Sequence, residues 1–140
     1  MSGLLKKLAL AGAAGWICAA AHAAPTRADH PLLGVWEWSI PDTRCTERMT
    51  VRQDGTSTVT SGQEVSESET RIADQADADG FYEWVDKITK TNGKPDCAGE
   101  VTPVGDVSTT YPMLSATGDR MMLCLAKKGP CFGPYVRQRP

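Results

Sequence analysis

The residues of this chain that could act as nucleophiles or metal ligands are chiefly its five cysteines and two histidines. Four of the cysteines, Cys45, Cys97, Cys124 and Cys131, lie in the body of the sequence without any C-x-x-C spacing, and His30 is the single histidine beyond residue 25. Structural zinc sites combine closely spaced cysteine pairs, often with histidines. The spacing therefore argues against zinc, and we predict no metal site in this set.

An even number of cysteines in an exported chain is typical of disulfides. Four cysteines allow three pairings. We favour Cys45 with Cys97 and Cys124 with Cys131, because residues 126–130 have the composition of a hairpin turn that would place the second pair side by side. With all four paired, no thiol is left to act as a nucleophile.

Two acidic stretches could also do chemistry. Asp77-x-Asp79-Gly80 resembles part of an EF-hand calcium loop, but its first ligand position falls on Gln75 and a strand pattern follows where a helix is required. We predict a solvated turn there. Glu64, Glu67 and Glu69 form the second stretch, which we expect to be a water-facing strand edge.

Known catalytic patterns do not occur in the sequence. It contains no G-x-S-x-G and no P-loop, and His30 lies outside every predicted strand. The sequence therefore favours a non-catalytic protein without a cofactor.

The first 23 residues have the composition of a signal peptide. Lys6 and Lys7 precede an apolar run of about 14 residues, and Ala21-His22-Ala23 supplies the small side chains that a signal peptidase requires. A membrane-spanning helix needs roughly 20 apolar residues. Cys18 raises a lipoprotein alternative, but the bulky residues before it, Trp16 and Ile17, argue against lipidation.

Cleavage after Ala23 would leave 117 residues, enough for one domain. We predict a flexible leader over residues 24–32 and a single domain over residues 33–140, in the periplasm or secreted, with no membrane span. Loss of two lysines shifts the formal net charge from −2 to about −4, without a basic stripe. Nucleic acid is therefore a poor candidate partner.

Short runs of β-forming residues alternate with Gly, Asp, Asn and Pro throughout the mature sequence. Asp54-Gly55 is a strong hairpin signal and predicts a type I′ turn. Sequential strands joined by tight turns favour an all-β, antiparallel up-and-down barrel, because closure removes exposed edges. The eight predicted strands are 33–39, 48–52, 56–60, 65–72, 81–91, 107–114, 120–126 and 131–137.

The first strand contains Leu33-Gly34-Val35-Trp36-Glu37-Trp38, in which Gly34 and Trp36 form a G-x-W. This pattern resembles the calycin superfamily, particularly lipocalins and small lipocalin-like domains. The resemblance implies that Trp36 plugs one end of a barrel and that a late arginine, here Arg137, packs over its indole through a cation–π contact.

We therefore expect an exported barrel that binds a small apolar ligand inside or an envelope protein on its outer face. The alternative is a periplasmic inhibitor or immunity protein that blocks an enzyme such as a cell-wall hydrolase, a role that acidic charge would suit if the target is basic. The predicted lining or plugging residues are aromatic: Trp36, Trp38, Phe81, Tyr82 and Trp84.

Overall fold

The computed structural model describes residues 23–140 of the chain. The predicted signal peptide, including Cys18, lies outside the described residues except for Ala23. Within residues 23–140, no helix is long and apolar enough to cross a membrane.

Eight antiparallel strands form a closed barrel in which every strand pairs with the next and β1 pairs with β8. This arrangement confirms the all-β, up-and-down barrel that the sequence predicts. The strands are β1 (Gly34–Ser39), β2 (Thr46–Val51), β3 (Thr56–Ser61), β4 (Glu64–Ile72), β5 (Trp84–Thr91), β6 (Val107–Leu114), β7 (Arg120–Cys124) and β8 (Cys131–Gln138).

The observed strands and turns differ from the predicted ones chiefly at two places, and other strand bounds shift by one or two residues. β5 begins at Trp84 instead of Phe81, and Phe81 forms only an isolated bridge to Met113. The β2–β3 hairpin forms, but Gly55 alone has a positive φ and Asp54 does not, so the predicted type I′ turn is wrong. Asp54 instead accepts hydrogen bonds from the amide and hydroxyl of Thr56, which hold the turn in a longer loop.

Both predicted disulfides are present, Cys45–Cys97 and Cys124–Cys131, with Cα–Cα distances of 5.8 and 3.9 Å. Both lie at the same end of the barrel, which we call the disulfide end. There the β1–β2, β5–β6 and β7–β8 connections meet. Two disulfides are consistent with an oxidising, exported location.

The other end of the barrel, which we call the Trp36 end, is filled by apolar side chains. Trp36 and Leu32 are fully buried there, and the Trp36 indole donates a hydrogen bond to the Leu32 carbonyl at 3.0 Å. The core cluster that extends from them consists of Leu32, Trp36, Met49, Val51, Ile72, Trp84, Met121 and Tyr135. Each large apolar side chain buried in this way stabilises the fold by about 1.5–3 kcal/mol.

Part of the segment predicted as a flexible leader packs against the Trp36 end. The Thr26 amide donates to the Gln53 carbonyl at 2.8 Å, and His30 is 3% exposed. The His30 Nε2 lies 3.0 Å from the Ala73 carbonyl oxygen, and its Nδ1 accepts from the Leu32 amide at 3.2 Å. These contacts hold Leu32 against Trp36, where it closes this end of the barrel.

Candidate functional site

The barrel interior contains a cavity of about 400 Å³ between the apolar core and the disulfide end. Trp84 and Asp86 lie on its deeper wall, and the β5–β6 loop contributes Asp96, Thr102 and Asp106 at the other end. Met49, Ile88 and Leu123 supply apolar surface between these groups. The cavity therefore combines an apolar wall with polar groups at both ends.

Carboxylates dominate the polar part of this wall. Five acidic residues line the cavity, of which Asp106 is exposed to solvent. The described lining includes no lysine, arginine or histidine. The five are Glu47, Glu64, Asp86, Asp96 and Asp106. The interior therefore has a negative potential that no neighbouring cation of the lining offsets.

The inward face of β4 explains why the cavity is polar. Side chains alternate along a strand, and the buried positions of β4 are Glu64, Ser66, Ser68, Thr70 and Ile72. Only the last of these is apolar, and it lies at the Trp36 end opposite Trp84. The small hydroxyl side chains leave the cavity space that larger side chains would fill.

The carboxylates lie at two levels along the barrel. Asp86 pairs with Thr70 on β4, whereas Glu64 begins that strand six residues earlier. At about 3.3 Å per residue, the two levels are separated by roughly 20 Å along the strand. The cavity thus has carboxyl groups at two levels along the barrel, and we call it the channel.

At the deeper level, Asp86 is held by hydroxyl groups. The Thr70 hydroxyl lies 2.5 Å from the Asp86 Oδ1 and 2.8 Å from the Ser57 hydroxyl, which is itself 3.5 Å from Oδ1. Burial raises the pKa of Asp86, and hydrogen bonding from Thr70, together with the nearby Trp84 indole and Ser57, opposes that rise. The neutral carboxyl is thus favoured more than in water.

The Trp84 indole N–H has no hydrogen-bond partner among the described residues, although Trp84 is 2% exposed. It lies near Asp86, but without the geometry of a hydrogen bond. A buried, unpaired N–H costs about 1–3 kcal/mol. A ligand oxygen or a water molecule beside it would remove that cost.

At the level of the disulfide end, Glu64 is buried and incompletely paired. The residue is 5% exposed, and its Oε1 finds no hydrogen-bond partner within residues 23–140. Burial raises the pKa of Glu64; the Thr102 hydroxyl opposes this, and the Asp96 and Glu47 carboxylates add to it. Because buried carboxylates are normally paired, this oxygen marks a position for a hydrogen-bond donor.

Glu47, by contrast, is fully engaged with the barrel wall. The Tyr135 hydroxyl donates to its Oε2 at 2.5 Å and the Ser61 hydroxyl to its Oε1 at 2.9 Å. Ser61 also accepts from the amide of Cys97 at 3.1 Å, which ties this network to the Cys45–Cys97 disulfide. Burial and the Glu47 carboxylate both raise the pKa of the Tyr135 phenol, so it remains a neutral donor.

An apolar pocket of about 380 Å³ adjoins the cavity at the disulfide end and shares Glu47, Leu123 and Tyr135 with it. Trp38 contributes its ring there, with centroids 6.1 Å from Phe132 and 5.4 Å from Tyr135. These three rings form an aromatic cluster beside the channel.

The predicted aromatic site residues divide between the two ends of the barrel. Trp84 lines the cavity and Trp38 lines the adjoining pocket. Trp36 is buried at the other end, whereas Tyr82 packs edge-on against His30 with ring centroids 5.3 Å apart. Phe81 precedes β5 and bridges to Met113. Two of the five residues thus line the adjoining cavities, Trp84 from the Trp36 end of β5 and Trp38 from the disulfide end of β1.

The sequence interpretation missed the carboxylates. The sequence predicts Glu64 on a water-facing strand edge, but β4 lies between β3 and β5 in a closed barrel and Glu64 points inward. Glu67, three residues further along β4 and on its outer face, is exposed and lies 3.5 Å from the Lys90 ammonium. The sequence offers no local signal for this direction, because the inward residues Glu64, Ser66 and Ser68 are as polar as the outward Glu67.

The Asp77 turn is organised by its own backbone. The Asp77 Oδ1 accepts from the amides of Asp79 and Phe81 at 3.0 and 2.9 Å, and Lys127 donates to the Oδ2 at 2.5 Å. The hydrogen bond from Lys127 lowers the pKa of Asp77. Among residues 23–140, no three His, Cys, Asp or Glu side chains are grouped so that they could hold a metal ion.

The fold and this site define a closed eight-stranded antiparallel barrel, compatible with a lipocalin-like barrel, that has one end filled and an acidic interior towards the other. No protein-family model, curated protein or solved structure matches the chain.

Proposed function

We propose that this chain is an exported, non-catalytic binding protein that holds a small molecule inside its barrel, entering from the disulfide end. The predicted signal peptide and the two disulfides support export to the periplasm or outside the cell. The filled Trp36 end and the cavity beyond it support binding within the barrel.

One observation carries this proposal. Two buried polar atoms, the Glu64 Oε1 and the Trp84 Nε1, lack partners among the described residues, and both residues line the same cavity. Buried polar groups in folded proteins are nearly always paired, by protein, water or ligand. A bound molecule with polar groups would satisfy one or both atoms.

The polar wall changes the class of ligand from the apolar one that the sequence predicts. Ser66, Ser68 and Thr110 line the cavity beside the carboxylates. An entirely apolar ligand would leave these groups without partners, at a cost of about 1–3 kcal/mol for each buried group. We therefore propose a ligand with polar ends whose apolar portion contacts Leu123 and Trp84.

A substitution that places a larger side chain in the cavity tests the proposal. Ser66→Leu adds a bulky side chain to the lining, whereas Glu67→Leu adds the same side chain to the exposed face of the same strand. We expect small polar fragments to shift the indole N–H resonance of Trp84 in the NMR spectrum of the mature domain. Ser66→Leu should abolish these shifts and Glu67→Leu should preserve them. Fragment binding that is insensitive to Ser66→Leu, or confined to outward-facing resonances, would overturn the proposal.

A further inference from the structure

We propose that the molecule held in the barrel is a linear aliphatic polyamine, with ammonium groups placed against the carboxylates at both levels of the channel. This inference rests on the proposed function and specifies its ligand class.

The charge of the lining is the first argument. Five acidic residues line one channel, and the lining residues that the structure describes include no basic side chain. Carboxylates close together repel, and for Glu64 and Asp86 burial adds to the cost of their charges, whereas Asp106 is exposed to solvent. An entering cation offsets both effects, whereas an anion would add to them and a neutral molecule would leave them unchanged.

Glu64 supplies the second, independent argument. The residue is 5% exposed, and its Oε1 is unpartnered in the described part of the chain. It lines the channel near the Asp96 and Glu47 carboxylates. A charged N–H donor is the group that pairs best with such an oxygen, because charge-assisted hydrogen bonds are about twice as strong as neutral ones.

The length of the channel selects a linear ligand. Glu64 and Asp86 are roughly 20 Å apart along the strand, and strands in small barrels tilt by about 35–45° from the barrel axis. The two levels are therefore about 15 Å apart along the axis. A compact cation would reach only one level, whereas a chain with amines at intervals reaches towards both.

The surface between the two levels suits methylene segments. Ile88, Leu123 and Met49 line the channel between the carboxylates, and the Trp84 and Tyr135 rings also face it. Apolar side chains bury the carbon chain, and aromatic faces attract ammonium groups. A polyamine alternates ammonium groups with methylene segments, and the channel likewise alternates carboxylates with apolar side chains.

The test uses three molecules with the same eight-carbon chain: 1,8-diaminooctane, 1,8-octanediol and suberate, together with spermidine. Isothermal titration calorimetry of the mature, disulfide-bonded domain would compare their affinities. We expect the diamine and spermidine to bind at least tenfold more tightly than the diol, and suberate to show no binding.

Two interior variants and one exterior control locate the site. Glu64→Gln and Asp86→Asn each remove one negative charge from the channel while retaining side-chain size. Each should weaken spermidine binding at least tenfold. Glu67→Gln removes the same charge from the outer face of β4, where Glu67 is exposed, and should change the affinity less than twofold.

The outcomes separate the two proposals. If the diol binds as tightly as the diamine and Ser66→Leu abolishes both, the polyamine inference fails while the binding barrel stands. If Glu67→Gln weakens spermidine binding as much as Glu64→Gln does, the overall charge of the domain attracts the cation, and the polyamine inference fails. If Ser66→Leu changes the binding of neither the four compounds nor the fragments, both proposals fail.

Discussion

The guanidinium carbon of Arg137 lies 4.2 Å from the centre of the Trp36 ring, on the strand that closes the barrel against β1. This cation–π contact is the one that the G-x-W pattern led us to expect. Arg137 also donates hydrogen bonds to the carbonyls of Gly118, Leu33 and Pro31. One side chain therefore joins both termini of the barrel and the β6–β7 turn.

Replacing this arginine should destabilise the whole fold. Arg137→Met keeps an apolar side chain over Trp36 but removes the charge and all three hydrogen bonds to carbonyls. We expect the free energy of unfolding to fall by about 2–3 kcal/mol, because hydrogen bonds to charged groups contribute about 1.5–3 kcal/mol. Urea denaturation of the mature domain measures this. Arg139→Met, at an exposed position two residues on, is the matched control and should change stability by less than about 0.5 kcal/mol.

The glycine of the G-x-W should prove necessary for a separate reason. Gly34 has a φ of +116°, and a Cβ built there would lie 3.3 Å from the Arg137 Nη1. Gly34→Ala therefore adds backbone strain and crowds Arg137, at a cost of about 1–3 kcal/mol in the free energy of unfolding. Gly93→Ala is the control, since Gly93 also has a positive φ but open space around it. Equal losses in the two variants, measured by urea denaturation, would contradict the role assigned to crowding.

The strands could be predicted from the sequence because their signals are local. Alternation and turn residues predicted all eight, and the short spacing of Cys124 and Cys131 favoured the correct pairing. The inward direction of Glu64 could not be predicted in this way. Polar residues are assigned to solvent by pattern, and only closure of the barrel turns this face of β4 inward. The packing of Leu32 over Trp36 likewise depends on contacts distant in sequence.

The Cys45–Cys97 disulfide should contribute strongly to stability, because it links residues 52 positions apart. Restricting the unfolded chain over that separation stabilises the native state by about 4 kcal/mol in the loop-entropy treatment. The double variant C45A/C97A should lose about that amount in urea denaturation under non-reducing conditions. A loss below about 1 kcal/mol would show that the β5–β6 loop is held by other contacts, such as the hydrogen bond from the Cys97 amide to Ser61.

Glu64→Gln should stabilise the domain at neutral pH. Burial raises the pKa of Glu64 above its ordinary value of 4.5, so its favourable contribution is complete below pH 4.5 and is lost as the pH rises through the folded-state pKa. Glutamine carries no charge, so the variant should match the wild type in acid and exceed its unfolding free energy at pH 7. Urea denaturation across this pH range measures the difference. Glu67→Gln, on the exposed face, should run parallel to the wild type, and a parallel curve for Glu64→Gln would contradict the assignment.

Polyamine binding should tighten as the pH rises from acid to neutral. The titratable residues that line the channel are Glu47, Glu64, Asp86, Asp96, Asp106 and Tyr135. Burial raises the pKa of both Glu64 and Asp86 above their ordinary values of 4.5 and 3.8, so in acid an ammonium must displace protons from them. At higher pH the carboxylates are already charged, whereas aliphatic amines stay protonated to about pH 10.

Calorimetry with 1,8-diaminooctane should therefore show affinity increasing above pH 4.5 and then levelling, with proton release at the lower pH values. In the Glu64→Gln, Asp86→Asn double variant this increase should be greatly reduced. An affinity that falls as the pH rises would show that the ligand prefers the protonated carboxyls, and it would contradict binding of a cation in the channel.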